Sequence, residues 1–352
     1  MSSDRILIVQ TGFLGDVILT TPVIRAVHER YPDAQISFLT TPAAEPLVRH
    51  HPLLSQVFVF DKRGKESGMR GLFAVAGRLR DQNFSRVFSL HKSLRTAALL
   101  ALARIPERFG FREAAGKFLY TRTAPRRDRQ HDVERNLAIL RNVGMEPEQL
   151  PATIEVHLSS VEELFLDRFL RSLPPRRLVG IAPGSVWLTK RWTTEGFIDV
   201  ARHFLERGDE VVLIGGKDDR EAAAAIEAAY PGRIHNFVGQ VSLLESAALV
   251  SKLSILITND SAPLHLASAF SIPTVALFCA TVPEFGFGPW KTISETVGVD
   301  GLECRPCGRH GGNRCPTGTH ACRLDLRSVA VIAAAERVLE RAGSSVLDGQ
   351  EA

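Results

Sequence analysis

The residues best suited to chemistry follow short apolar runs. Gln10-Thr11-Gly12-Phe13-Leu14-Gly15-Asp16 comes after Ile6–Val9 and opens a helical pattern. Gly12 and Gly15 let backbone approach a ligand closely. Asp16 reads either as a helix cap accepting backbone N–H bonds or as a carboxylate base. The spacing is Gly-x-x-Gly, not GxGxxG, so it makes a weak dinucleotide fingerprint. Pro183-Gly184-Ser185, followed by Thr189-Lys190-Arg191-Trp192, offers a hydroxyl, an ammonium group and backbone N–H groups to a phosphate. The alternative is a surface loop with a solvated Lys-Arg pair. Asn259-Asp260-Ser261-Ala262-Pro263-Leu264-His265 also opens a helix. There the Ser261 and Ala262 amides could cradle a diphosphate, or the helix could simply be capped over a buried His265.

Weaker signals lie elsewhere. Gly215-Gly216-Lys217-Asp218-Asp219 lacks the GxxxxGK[ST] spacing of a P-loop, although either carboxylate could hold a ribose hydroxyl. Cys304, Cys307, Cys315 and Cys322 crowd among glycines and prolines. They read as zinc ligands, free thiols or a labile disulfide. Cys279 reads as a core residue. Between Arg104 and Arg135 nine basic residues face five acidic ones. With Lys92, Ser93 and Arg95 upstream, they could line a cleft for an anionic molecule or form a solvated basic face.

These groups need elements to hold them. Apolar runs at Ile6–Val9, Gln35–Leu39, Gln56–Phe60 and Arg86–Leu90 alternate with helical stretches, the first at Asp16–Arg30. The pattern returns at Leu178–Ala182, Glu210–Ile214, Ile255–Thr258 and Thr274–Phe278. Short apolar strands ending in glycine or polar turns predict two doubly wound α/β domains, with ligands beyond the strands' carboxyl ends. The paired prolines and arginines at Pro174-Pro175-Arg176-Arg177 place the boundary, giving domains 1–172 and 173–342 and a frayed tail 343–352. A chain of 352 residues has room for both cores. A net charge of +4 is too small to argue for nucleic acid, and no apolar stretch reaches bilayer length. The N-terminus lacks the order of a signal peptide, so a soluble cytoplasmic protein is expected.

Gln10–Asp16, Lys190-x-Trp192 and Asn259–His265, in this order, resemble the lipopolysaccharide heptosyltransferase family over nearly the whole chain. The segment Cys304–Cys322 looks like that of many members of the heptosyltransferase II branch. The resemblance implies a GT-B fold and an inverting transfer that uses no metal and no cofactor. It implies an ADP-heptose donor held by the C-terminal domain. The acceptor it implies is a lipid A-linked inner core, at the inner leaflet of the cytoplasmic membrane, bound by the N-terminal domain. Carried over by position, Asp16 is the general base and Lys190 the second catalytic residue. Donor contacts fall to Ser185, Thr189, Lys190, Asp260, Ser261, Ala262 and His265. Acceptor contacts fall to Gly12, Gly15, Lys92, Ser93 and Arg95. Many members carry Thr-Gly where this chain has Ser261-Ala262, so a Cβ stands near the expected phosphate. The resemblance implies the heptosyl-Kdo2-lipid A inner core as acceptor; the same transfer one step earlier on Kdo2-lipid A, a nucleotide-sugar epimerase on this fold and a non-catalytic zinc-stabilised binding protein are the competing readings.

Overall fold

A computed structural model describes residues 4–348. The chain divides into two units, Met1–His157 and Leu158–Ala352. The division therefore falls ahead of the helix Ser160–Arg171, not after it at the paired prolines. That helix packs against the helix Leu243–Val250 and so belongs with the second unit.

The first unit carries six parallel strands, β1 (Arg5–Val9), β2 (Gln35–Thr40), β3 (Gln56–Val59), β4 (Arg86–Ser89), β5 (Glu107–Phe111) and β6 (Arg122–Ala124), in the order β3-β2-β1-β4-β5-β6. The second unit repeats that plan with β7 (Leu178–Ala182), β8 (Glu210–Leu213), β9 (Ile234–Asn236), β10 (Ile255–Asn259), β11 (Thr274–Leu277) and β12 (Ser294–Val297), ordered β12-β11-β10-β7-β8-β9. Both are the doubly wound order in which strand direction of growth reverses beside the first strand. The reversal lies between β1 and β4 in one unit and between β7 and β10 in the other. Such central strands are covered on both faces, which is why Ile6–Val9 and Ile255–Ile257 are wholly apolar and fully buried. Each such side chain removed from water stabilises the fold by about 1.5–3 kcal/mol.

Sequence pattern located the central strands but not β5, β6, β9 or β12. Three of these are sheet edges, and β5 lies next to one. Half-solvated strands such as Arg122-Thr-Ala and Ser294-Glu-Thr-Val have no continuous apolar run to reveal them. The helix expected over Asp16–Arg30 is two, Leu14–Ile18 and Thr21–Arg30, with Pro22 in the first turn of the second. The tail expected from Gly343 continues the helix Ser328–Asp348, and residues 349–352 lie outside the described residues.

The basic stretch after Arg104 is partly internal. Arg135 is fully buried and donates to the carbonyls of Arg127 and Asp128. The Arg108 guanidinium donates to Leu119 O at 2.8 Å and Ile105 O at 2.5 Å. These cations close turns around the short strands β5 and β6, so the stretch as a whole is not a solvated face.

A buried and a half-buried imidazole in the first unit, His51 and His91, give its stability a sign with pH. Burial lowers His51 to a pKa of about 4, helped by its neighbour His157 and opposed by Glu155. Burial, then Lys62 and Lys92, lower His91 to about 4 as well. A folded-state pKa below the unfolded value means that the unfolded chain binds more protons as pH falls. We expect stability from these two groups to be complete above about pH 6.5 and to decline toward pH 4. Imidazole titration by NMR checks this, and midpoints near 6.5 for both residues would refute it.

Candidate functional site

In the first unit the loop after β1 brings the Asp16 carboxylate back over its own helix start. Phe13 N–H donates to Asp16 Oδ2 at 2.8 Å, and Gly12 N–H donates to Gln10 Oε1 at 3.0 Å. A Cβ on Gly12 would lie 2.4 Å from that Asp16 oxygen, so a side chain there would displace the carboxylate. Gly15 lies inside the helix Leu14–Ile18, where its carbonyl accepts from Leu19 N–H at 2.9 Å. Asp16 thus fills the capping role at the positive end of a short helix while remaining half-exposed.

A pocket of about 360 Å³ opens beside this loop, lined by residues that follow β1, β2, β3 and β4, among them Gly12, Phe13, Pro42, Lys62, Arg63 and His91. Lys62 Nζ donates to Thr11 O at 2.5 Å. Burial, with Arg63 and Arg95 nearby, holds the Lys62 ammonium below its ordinary pKa, and Asp16 opposes that shift. His91 Nδ1 lies 2.8 Å from Thr96 Oγ1 and 3.1 Å from Ser93 Oγ. Neutral at pH 7, it is a hydrogen-bonding group and not a cation. Sequence reading passed over Lys62, Arg63 and His91. The rule that ligands sit beyond strand ends would have found them, since each follows its strand within a few residues.

The expected acceptor residues are placed differently. Ser93 caps the helix Leu94–Leu102, accepting from Thr96 N–H at 3.2 Å. Arg95 donates to the carbonyls of Lys62, Glu66 and Gly68 and lies over the Phe60 ring at 5.0 Å. Its charge therefore fixes the loop that forms one wall of the pocket. Lys92, whose carbonyl accepts from Ala115 N–H at 3.0 Å, is half-exposed.

In the second unit the loops after β7 and β10 meet. Asn259, fully buried, joins them: its Nδ2 donates to Pro183 O at 2.7 Å and its Oδ1 accepts from Trp192 N–H at 3.0 Å. Trp192 in turn donates from Nε1 to Leu326 O at 2.9 Å and packs edge-on against Phe197. Between these anchors Lys190 Nζ lies 2.6 Å from Asp260 Oδ2, both side chains nearly buried. Thr281 Oγ1 donates to the same carboxylate oxygen at 2.7 Å. Asp260 therefore holds the Lys190 ammonium in place. Breaking one partner of such a buried pair commonly costs about 3–5 kcal/mol.

Ser261 precedes the helix Ala262–Ala269 in an extended conformation and makes no side-chain cap. Its hydroxyl donates to Asn259 O at 3.3 Å. A helix start leaves its first N–H groups unmatched within the helix, and the partial positive charge there favours an anion. Ser185 is buried, and its carbonyl accepts from Arg191 Nε at 2.7 Å. His265 is buried within the helix. Thr189 spends its hydroxyl on Gly312 N–H at 2.8 Å, while its own N–H donates to Gly312 O at 3.0 Å. The cysteine-rich segment is thereby laced onto the turn that carries Lys190. Asp219 accepts from Gly216 N–H at 2.9 Å and abuts Gly184, where a Cβ would lie 2.0 Å from its Cγ. It couples the loops after β7 and β8, and burial raises its pKa.

All five cysteines are free thiols in the structure. Cys322 and Cys279 are buried, and burial raises both pKa values. Cys315 is lowered to about 7 by Thr317 Oγ1 and His320 N–H. Among the described residues, the group that brings three metal-ligand atoms within 4.8 Å of one another is His51, Glu155 and His157, not the cysteines. There Glu155 is already paired with Arg25 at 2.5 Å.

Comparison with known proteins agrees with this geometry. A sequence profile of glycosyltransferase family 9 (heptosyltransferase) matches residues 72–314. The chain is 26% identical to lipopolysaccharide heptosyltransferase 2 of Salmonella typhimurium over 80% of its length and 84% of that protein. It is 29% identical to lipopolysaccharide heptosyltransferase 3 of Escherichia coli over 80% and 83%. Among solved structures, a family 9 glycosyl transferase from Veillonella parvula superposes with a TM-score of 0.87 at 24% identity, covering 97% of this chain and 99% of that one. The Escherichia coli ADP-heptose lps heptosyltransferase II gives 0.78 at 23% identity, covering 96% and 99%. The fold is the expected GT-B pairing of Rossmann-like units, and the chain is a glycosyltransferase that belongs to family 9, the heptosyltransferases.

Proposed function

We propose that this enzyme transfers heptose from ADP-L-glycero-D-manno-heptose to the heptosyl-Kdo2-lipid A inner core, with inversion and without a metal ion. The observation that carries the reading is the buried Lys190–Asp260 pair at the start of the helix Ala262–Ala269. A cation held beside the backbone N–H groups of a helix start suits the charge of a departing diphosphate, and this supports the reading. Asp16 removes the proton from an acceptor hydroxyl as that oxygen attacks the anomeric carbon from the face opposite ADP. The sugar–phosphate bond breaks, its electron pair leaves on the terminal phosphate, and the proton ends on Asp16. Lys190, Ser185 and the Ser261 and Ala262 amides meet the charge that develops on the phosphate. In this reading those fixed groups take the place that a divalent cation holds in other glycosyltransferases. The basic residues Lys62 and Arg63 beside Asp16 suit an anionic acceptor. The site of action is the cytoplasmic face of the inner membrane. Identity of 29% to lipopolysaccharide heptosyltransferase 3 of Escherichia coli favours a second reading, in which the same transfer is made to a different lipopolysaccharide acceptor.

Variants separate these roles. Asp16→Asn is expected to keep ADP affinity while kcat falls by about 10²–10⁴, measured by calorimetry and ADP release. Retained turnover would remove Asp16 as the base. Lys190→Ala is expected to weaken ADP binding and to lower kcat by about 10²–10³. Equal ADP affinity would count against a phosphate contact. Asn259→Ala takes a hydrogen-bond partner from Pro183 O, from Gly184 O at 3.4 Å and from Trp192 N–H. It should lower stability by about 1–3 kcal/mol in denaturant titration and weaken ADP binding with it. NMR of the product's anomeric centre tests inversion.

A further inference from the structure

We propose that the first unit docks on an anionic lipid bilayer through the surface formed by Met69, Phe73, Leu94 and Phe118, ringed by Lys65, Arg70 and Lys117. The inference rests on the lipid-linked acceptor proposed above and names the face that meets the membrane. These four side chains are 63%, 55%, 48% and 74% exposed, unusual for large apolar groups. They lie on adjoining segments. Met69 and Phe73 are four residues apart on the helix Gly68–Arg80, so they share its outer face. That helix packs on Leu94–Leu102. Arg95, next to Leu94, donates to Glu66 O at 2.9 Å and Gly68 O at 3.3 Å, beside Met69. A Cβ at Gly116 would touch Leu94 at 3.3 Å, which brings the turn Lys117–Leu119 and its Phe118 to the same place.

Charge decides what such a surface meets. Lys65, Arg70 and Lys117 are exposed and make no ion pair among the described residues. The nearby carboxylate of Glu66 is already held by Arg78 at 2.5 Å. Apolar side chains within a basic ring fit an anionic bilayer, where the rings enter the interface and the ammonium and guanidinium groups meet phosphates. The surface also adjoins the pocket beside Asp16. The loop from Asp61 to Gly68 forms a pocket wall at Asp61, Lys62 and Arg63 and then runs into the helix bearing Met69. A lipid anchored in the bilayer would therefore present its sugar headgroup near the pocket mouth.

Flotation of the full-length protein with phosphatidylglycerol-containing and pure phosphatidylcholine vesicles tests this. We expect binding to the anionic vesicles, weaker by about fivefold for each basic residue reversed in Arg70→Glu and Lys117→Glu. Met69→Ser/Phe118→Ser should lower partitioning by on the order of tenfold, while Val329→Ser, an exposed apolar side chain of the second unit, should leave it unchanged. Circular dichroism confirms that each variant is folded. Transfer to vesicle-embedded acceptor should drop in the double variant, and transfer to a deacylated, soluble acceptor should not. Flotation that depends on the patch, without transfer to either acceptor, would sustain the docking surface and refute the acceptor reading. Absence of vesicle binding, or flotation unaffected by the patch variants, would overturn the docking surface, and a protein partner would then be the occupant to seek.

Discussion

The site in the second unit depends on the Asn259 side-chain amide. β7 and β10 lie side by side where the strand order reverses, and the loops that follow them meet beyond the strand ends. Backbone pairing ends with the strands, so something else must hold the loops together. Asn259 does so with a donor to Pro183 O and an acceptor for Trp192 N–H, fully out of water. A buried amide of this kind is costly unless both ends are matched, and stiffening once they are. Everything proposed for the departing diphosphate hangs from it. The turn bearing Lys190 is fixed from Trp192, and Asp260 follows Asn259 in the chain.

The first unit solves a different problem. The base role proposed for Asp16 needs its carboxylate held in place. Asp16 accepts from Phe13 N–H at a helix start and sits near Lys62, whose own charge is disfavoured by burial and by neighbouring arginines. The crowd of cations around the pocket raises the local potential for anions, while neutral His91 adds hydrogen bonding without further charge. Gly12 makes the arrangement possible, because any side chain there would occupy the space of the carboxylate.

Much of this was legible in residue order. Fully buried central strands must be continuous apolar runs, so β1, β7 and β10 stand out in the sequence, and the polar residues just beyond them mark the candidate site. Edge strands carry no such mark, and β6, β9 and β12 were passed over for that reason. Single-residue roles were harder. Arg95 and Ser93 have the chemistry of anion ligands, yet one stitches a loop through backbone carbonyls and the other caps a helix. The resemblance makes Thr189 a donor contact, and in the structure its hydroxyl accepts from Gly312 N–H. Spacing cannot tell a side chain that serves the backbone from one that serves a ligand, because both need the same donors. The long-range pairs Lys190–Asp260 and Asn259–Trp192 join residues about 70 apart, a separation that periodicity does not report.

The most direct test of the account is an ADP-release assay with ADP-heptose and two acceptors, Kdo2-lipid A with and without its first heptose. The account predicts turnover on the heptosylated acceptor and none on the bare one. Turnover confined to the bare acceptor would contradict the assigned step, and no release with either would contradict the proposed donor and acceptor together.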